Sequence, residues 1–488
     1  MSHKHDLVII PLLVFIFISG CAPAKETGSP TLIPTNTQIP PVTIPFYLLR
    51  IEYTSTSDWA TVEFKNPEMI LAARVVSISG TPTTADVSNT SLQLLRPLEA
   101  LNTEPTVTMT VELAIDPNMV DEPFKLLSRH GGIGGSGVRV FYDKDKDALL
   151  LSEIDHFWTD SNNPGYNDTA FEINLTKIGD NPPTVREFVR TSPKKMLWAF
   201  YYPWIAWEQS ASCTDHPAIP YTYNSDGSRT RETFARQIEQ AQSAGIDGFI
   251  VSWLDDETLN HNLALLLEVA QEKKFLISIY LESTPDPNDR SVKPDIIIDW
   301  LEYAIPEFGS HPAYMQVNGK PLIFVYNSSA APLETWRGIF GSLAAQGFQA
   351  SYIGMSYNVS DLSLFDGLHQ YAIFNYSDLN SVYQNMSRGV HHFSLLQDSS
   401  VQKIFAATVQ PGFDDCPYHP PTTDLFVERN NGDFYRSTFK AAVQSDPDWI
   451  LITSWNEFGE TTHIEPSEQL GTQYLDITRE FAEKWKKQ

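Results

Sequence analysis

LWAFYYP (197–203), IDGFIVSW (246–253), FLISIYLES (275–283), PLIFVYN (321–327), SYIGMSY (351–357), LHQYAIF (368–374), IFAATVQ (404–410) and DWILITSW (448–455) follow one another along a single stretch of the chain. Continuous apolar runs, rather than alternating ones, mark strands buried on both faces of a parallel sheet. The gaps between them carry helical spacing. Phe234, Ile238 and Ala241 share a face, with Gly245 as the stop. Leu259, Leu263, Leu266 and Ala270 repeat the pattern, and Leu470, Tyr474, Ile477, Phe481 and Trp485 form the last stripe. The fifth connection, NVSDLSLFDG, is too short for a full helix. Eight such units in about 290 residues predict a (β/α)8 barrel over 191–488, with its active site at the C-terminal strand ends.

Outward from the barrel the pattern changes. Residues 46–190 hold FYLLRIEY, WATVEF, ILAARVVSI, TVTMTVELAI, GVRVFYD, ALLLSEI and FEINLTKI, short runs broken by Gly, Pro, Asn and Asp, which predict an antiparallel β-sandwich. The fold class is therefore α/β, a C-terminal barrel preceded by an all-β sandwich-like domain. Trp59, Tyr142 and Trp158 in the sandwich read as core aromatics rather than as a sugar platform. NPPTVREFVRTSPKK (181–195) reads as the linker into the barrel.

The first 20 residues read as a targeting segment. Lys4 is a short basic region, Leu7 to Ile18 is apolar apart from Pro11, and this run is too short to span a bilayer as a helix. Ile18-Ser19-Gly20-Cys21 resembles the lipobox of bacterial lipoproteins and makes Cys21 the candidate lipidation site. The alternative is a plain signal peptide cut near Ala22 or Ala24. Residues 21–45, rich in Pro and Thr, read as an extended tether. The expected location is the bacterial cell envelope, lipid-anchored and facing outside the cytoplasm.

At 488 residues the chain is about three times the usual ~150 per domain. With 34 Lys+Arg against 60 Asp+Glu, its net charge of -26 repels phosphate backbones and excludes nucleic acid as a partner. The 11 Trp and 20 Tyr exceed what packing usually needs, and they collect at the strand ends. Those ends read Tyr201-Tyr202-Pro203-Trp204, Ser252-Trp253-Leu254-Asp255-Asp256, Tyr280-Leu281-Glu282, Tyr326-Asn327, Tyr357-Asn358 and Trp455-Asn456-Glu457-Phe458-Gly459-Glu460. Aromatic faces stack on sugar rings while carboxylates and amides bind hydroxyls. Tyr202, Trp204, Trp253, Asp255, Tyr280, Glu282, Tyr326 and Asn456 are the candidate substrate-binding residues. Glycoside cleavage needs two carboxyl groups, one protonated and one ionised. Glu457 and Glu460, at i and i+3, would face one side only if the chain turns there.

SWNEFGETTHIEP (454–466) resembles the hallmark of glycoside hydrolase family 99, the retaining endo-α-mannosidases and endo-α-mannanases, whose usual form is close to S-[FW]-N-E-W-x-E-G-T-x-I-E-P. FYYPW (200–204), AGIDGFIVSW (244–253) and Tyr280 with Glu282 match too, so the resemblance covers residues 196–486. It implies a (β/α)8 barrel, no metal and no cofactor in the chemistry, and a poly- or oligosaccharide substrate. By the same resemblance Glu457 is the base that draws the proton from the sugar 2-hydroxyl, and Glu460 the acid that protonates the leaving oxygen. Phe458 and Gly459 depart from the commoner Trp-His, and Thr461 replaces the usual Gly. The resulting expectation is a membrane-anchored, endo-acting retaining hydrolase of α-linked, mannose-containing glycans. Its alternatives are a hydrolase of other α-linked polysaccharides and a non-catalytic glycan-binding lipoprotein.

Cys213 and Cys416 each stand in a Cys-x-x-His unit, CTDH and CPYH, in loops after strands one and seven. Outside the cytoplasm they could form a disulfide. The alternatives are a structural zinc held with the two His, or no link.

Overall fold

WATVEF alternates half-buried and buried residues from Trp59 to Phe64, the period of a strand with one face on a core. The computed structural model describes residues 37–488 except 39–41, 81, 83, 97–100, 102–105, 132–133, 145–146, 159–166, 189–190, 204–214, 285–288, 398–401 and 416–425. Cys21, Trp204, Cys213 and Cys416 lie outside the described residues.

The N-terminal part is two antiparallel sheets. One contains β1 (Val42–Ser55), β3 (Ile70–Ser79), β6 (Val107–Ile115), β8 (Gly134–Lys144), β9 (Asp147–Trp158) and β11 (Thr184–Phe188). The other runs β10 (Asn167–Ile173), β7 (Phe124–His130), β2 (Trp59–Phe64), β5 (Ser91–Leu95) and β4 (Thr84–Val87). Their inner faces interlock through Leu49, Ile51, Val62, Leu92, Val111, Leu126 and Val140. Tyr142 joins this core, as its sequence suggests, but Trp59 is only half-buried and belongs to the outer face.

The sequence reading places tether and linker on either side of this sandwich, yet part of each is strand. β1 begins at Val42, and its first residues pair with β11, Val42 against Phe188 and Phe46 against Thr184. Thr37–Gln38 likewise pairs with Thr191–Ser192. Each segment is poor in core-forming residues alone, and each supplies the other's backbone partners.

Eight parallel strands follow: β12 (Met196–Tyr201), β13 (Gly248–Trp253), β14 (Leu276–Leu281), β15 (Lys320–Val325), β16 (Ser351–Met355), β17 (Gly367–His369), β18 (Ile404–Val409) and β19 (Trp449–Ile452). β12 pairs with both β13 and β19, and β14 with β15, so the sheet closes on itself. The expected (β/α)8 barrel is what forms.

The helices are α1 (Arg231–Ser243), α2 (Glu257–Lys273), α3 (Pro294–Glu307), α4 (Leu333–Ala345), α5 (Leu379–His391), α6 (Asp433–Gln444) and α7 (Gln473–Trp485). After β16 there is only a 3₁₀ segment, Val359–Ser363, as the short connection predicts. Gly245 follows α1 at φ +81°, a conformation that disfavours any side chain.

Sandwich and barrel are joined through Phe46, Leu71, Ala72 and Ala114, which pack on Leu395 and Leu396. Arg388 Nη1 also donates to the Pro67 carbonyl at 3.2 Å.

Candidate active site

Strand parity sorts the aromatic rim. On β12, Trp198 and Phe200 point into the barrel while Leu197, Ala199 and Tyr201 face the helices. Tyr202, one residue past the strand, continues the inward row. On β13 the inward residues are Ile250 and Ser252, and Ser252 Oγ donates to Glu282 Oε1 at 2.6 Å. Trp253 therefore points outward. It is fully buried among the helices, its ring against Trp300 and Phe308, and its Nε1 donates to Asn260 Oδ1 at 2.8 Å. This corrects the sequence reading of Trp253 as a sugar platform: side chains alternate along a strand, and the inward place belongs to Ser252. Asp255 is likewise not on the rim. It is exposed, accepts from Asn260 Nδ2 at 2.7 Å, and bears on Tyr303 of α3 rather than on the other carboxylates.

The remaining inward groups converge. Tyr280 packs against Phe200 (centroids 4.7 Å apart), Tyr326 (5.6 Å) and Tyr371 (6.2 Å). Its hydroxyl lies 3.3 Å from His369 Nε2, and burial holds that imidazole down at about 3, neutral at ordinary pH. Tyr371 stands two residues past β17, a strand end that the sequence reading left without a role. Its hydroxyl donates to Glu460 Oε2 at 3.3 Å. A cleft of about 260 Å³ beside it is lined by Tyr326, Met355, Gln370, Tyr371, Asn375 and Tyr376.

The loop after β19 folds back on itself. Trp455 N donates to the Phe200 carbonyl (2.7 Å), Ser454 N to Thr462 (2.9 Å) and Ile464 N to Ser454 (3.0 Å). Thr461 N donates to the Phe458 carbonyl at 3.1 Å, closing a tight turn between the two Glu. That turn, not a helix, brings Glu457 and Glu460 to the same side. Burial raises the Tyr202 and Tyr371 phenols, and both Glu add to each rise. Asn456, expected to bind sugar, has its amide taken up by the Tyr202 backbone, accepting from its N–H and donating to its carbonyl, each at 2.8 Å. It splints the loop to β12 instead.

Burial shifts two of the carboxyls alike. Burial pushes Glu460 up to about 7, opposed by the Tyr371 hydrogen bond and reinforced by Asp415. Burial also pushes Glu282 up to about 7, opposed by Ser252 and reinforced by Glu460. Two carboxyls protonated near neutrality thus stand in one apolar, phenol-lined site.

The outer side of the loop is pinned. Arg429 Nη2 donates to the Thr461 carbonyl at 2.9 Å and to the His463 carbonyl at 2.7 Å, and Phe458 stacks on His463 at 4.0 Å. Thr461 sits at φ +52°, where a β-branched residue is strained, and its hydroxyl donates to the Asp414 carbonyl at 2.9 Å. Glu465, further along the loop, is fully satisfied. Gln237 Nε2 donates to it at 2.9 Å, Tyr221 donates to its other oxygen, and Arg229 draws its pKa back from the rise that burial causes. Tyr371, Asp415 and Glu465 are the residues sequence reasoning missed. For Tyr371 the signal was its place just past a strand, which it shares with Tyr326.

Over residues 196–486 the chain matches the family model described as glycosyl hydrolase family 99. It is similar to glycoprotein endo-alpha-1,2-mannosidase of Rattus norvegicus, 26% identical over 298 residues, 54% of this chain and 62% of that protein. The glycoprotein endo-alpha-1,2-mannosidase-like protein of Homo sapiens is 24% identical over 331 residues, 60% of this chain and 66% of that one. The chain thus spans less than two thirds of the length of these curated relatives. The family 99 endo-alpha-mannosidase of Bacteroides thetaiotaomicron, solved with bis-tris-propane, superposes with a TM-score of 0.51 at 23% identity, covering 60% of this chain and 97% of that one. That likeness shows the fold.

Proposed function

This chain belongs to glycosyl hydrolase family 99, and from that premise we propose that it is an endo-acting, retaining hydrolase of α-linked, mannose-containing glycans. Glu457 takes the proton of the sugar 2-hydroxyl, and O2 attacks C1. The bond from C1 to the leaving oxygen breaks as Glu460 gives that oxygen its proton. Water, deprotonated by Glu460, then opens the 1,2-anhydro sugar at C1 while Glu457 returns its proton to O2. Two inversions retain the configuration.

The observation that carries this reading is the state of Glu460. A half-buried carboxyl held at about 7 is protonated often enough to act as an acid and ionised often enough to act as a base afterwards. Glu282, Tyr202, Tyr280 and Tyr326 bind the sugar, and Tyr371 orients Glu460. Incubation with a panel of α-mannans and α-glucans, followed by proton NMR of the first product, tests it. Released oligosaccharide with the anomeric configuration of the substrate is expected. Net inversion would exclude the anhydro route, and no release from any member would leave a glycan-binding protein.

Ile18-Ser19-Gly20-Cys21 supports a lipid anchor outside the cytoplasm. Among the described residues no helix is long and apolar enough to cross a membrane. Cys21→Ser should release the protein from the membrane fraction or block its maturation. A native N-terminus other than a modified Cys21 in mass spectrometry would remove the anchor. A bridge between Cys213 and Cys416 would leave no free thiol in the denatured, unreduced mature protein.

A further inference from the structure

The barrel lacks one of its outer helices, and the sandwich stands at the gap. Between β16 and β17 the chain forms only the 3₁₀ segment Val359–Ser363, whose Val359 and Leu362 turn inward onto the barrel core. Such segments seldom exceed about three or four residues, because their hydrogen bonds are poorly aligned, so a longer one needs support from outside. The sandwich gives it. Asp86 of β4 lies with Oδ1 3.3 Å from Ser360 Oγ, and Asn358 Oδ1 stands 2.9 Å from the same hydroxyl. Asn89, fixed by donating to the Ile70 carbonyl at 3.1 Å, meets α5 at Gly389. A Cβ at 389 would fall 2.7 Å from Val359 Cγ2 and 3.2 Å from Asn89 Oδ1, so glycine there lets helix, 3₁₀ segment and sandwich meet. Arg74, which donates to Glu112 at 2.8 Å, also donates to the Leu396 carbonyl.

These contacts lead to the catalytic face. β16 ends at Met355, so the 3₁₀ segment that follows sits on the C-terminal rim, where barrel sites lie. From Ser360 the bonds run back along the chain. Ser360 N donates to Asn358 Oδ1 at 3.2 Å, Asn358 N to Ser356 Oγ at 2.9 Å, and Ser356 N to the His369 carbonyl at 2.9 Å. Met355 and Tyr376 line the cleft beside Tyr371. Tyr357 packs on Tyr376 and on Tyr383 of α5, with ring centroids 6.0 and 6.1 Å away. Asp361 shows how closely the two parts face each other: burial raises its carboxyl to about 6, Ser356 opposes the rise, and Asp86 adds to it. One wall of the cleft is thus built on a segment that the sandwich braces.

We propose that the sandwich stands in for the missing fifth helix, and that Asp86 is a positioning residue acting through Ser360 and Asn358 on the cleft wall formed by Met355 and Tyr376. This rests on the hydrolase reading only for the expectation that the cleft holds substrate. Glu457 and Glu460 lie on a different loop, which Arg429 braces at the Thr461 carbonyl. Tyr371 is held separately, its carbonyl accepting from Thr453 Oγ1 at 2.8 Å. Losing the brace at Asp86 therefore loosens sugar binding and leaves the chemistry alone. The sandwich is part of the frame of the active site rather than a separate module on a linker.

The test uses the full chain, with hydrogen exchange read by mass spectrometry and initial rates on the shortest α-linked oligosaccharide that the parent cleaves. In Asp86→Ala the amides of 356–363 and 372–376 should exchange at least ~threefold faster, while those of α1 keep the parent's rates. KM should rise about fivefold, the scale of one hydrogen bond, with kcat within about twofold of the parent. Asp86→Asn keeps an acceptor oxygen for Ser360 and should restore both readings. A residue that only stabilises the fold would instead speed exchange throughout the barrel and leave KM alone. Should Asp86→Ala not fold, Ser360→Ala removes the same contact from the barrel side and carries the same expectations. In a folded variant, unchanged local exchange or an unchanged KM would overturn the proposal. So would an equal gain in exchange across the whole barrel, or an Asp86→Asn that behaves like Asp86→Ala. Failure of the hydrolase reading would appear separately, as no turnover of any α-mannan or α-glucan by the native chain, and the exchange pattern then decides the positioning by itself.

Discussion

Glu460 and Glu465 lie five residues apart on one loop, and burial pushes both carboxyls up. Their surroundings differ in completeness. Glu465 accepts from Tyr221 and Gln237 and has the fully buried Arg229 nearby, itself bonded to the Tyr201 hydroxyl at 2.8 Å. Glu460 accepts from the Tyr371 phenol and faces the charge of Asp415. A buried acid with its acceptors filled and a cation beside it is tied into the structure. One with a single phenol and an anion beside it stays poised to exchange a proton. The same loop therefore has a rigid end and a reactive end.

The largest effect should come from the reactive end. Glu457→Gln and Glu460→Gln should each lose at least ~10²-fold in turnover while still binding oligosaccharide. An activated leaving group should restore part of the first-step rate in Glu460→Gln, but not in Glu457→Gln, because no leaving group replaces the missing attack on C1. Full activity in either variant, measured by initial rates, would erase the contrast with Glu465.

At the rigid end the loss should be stability. Glu465→Ala leaves Tyr221 and Gln237 without their acceptor and Arg229 without the neighbouring carboxylate, and should cost about 2–4 kcal/mol, seen as a lowered thermal midpoint. An unchanged midpoint would mean that the network does not hold the loop.

Stability against pH sharpens the comparison. Glu460 and Glu282 sit at about 7 against an ordinary 4.5, so the folded state holds their protons more tightly than the unfolded chain does. Their contribution is complete below about 4.5 and lost as pH rises to about 7. Glu460→Gln, though nearly inactive, should thus be more stable than the parent at about pH 8, by roughly 1–3 kcal/mol. Turnover should also fall as pH rises through about 7, since the acid must be protonated. Asp415→Asn, by removing a neighbouring negative charge, should move that falling limb to lower pH. A limb that does not move would free Glu460 from Asp415.

The smallest effect belongs to Thr461. Glycine there relieves the left-handed strain but loses the hydroxyl bond to Asp414, so Thr461→Gly should stay within about 1 kcal/mol of the parent. Thr461→Val keeps the branching without the bond and should cost about 1–3 kcal/mol, read from the same melting curves.

The sequence determined much of this by itself. Continuous apolar runs need burial on both faces, so eight of them with helical spacing between leave little choice but a closed parallel barrel. The pairing of Glu457 with Glu460 and the aromatic strand ends were legible for the same local reason: residue type and spacing carry them. What only the tertiary structure decided is direction and partnership. Trp253 and Ser252 are neighbours in sequence, but the sense of the strand gives Ser252 to the site and Trp253 to the helices. Asn456 binds backbone rather than sugar because Tyr202 lies across the barrel seam from it. Residues 42–45 and 184–188 look unstructured alone, and each becomes strand only where the other satisfies its backbone. Trp59 reads as core until the pleat of its strand turns it, half-buried, to the face away from the sandwich interior. Composition and period fix what a residue can do within its own segment; the contacts that assign it a task come from chain far away, and no local pattern encodes them.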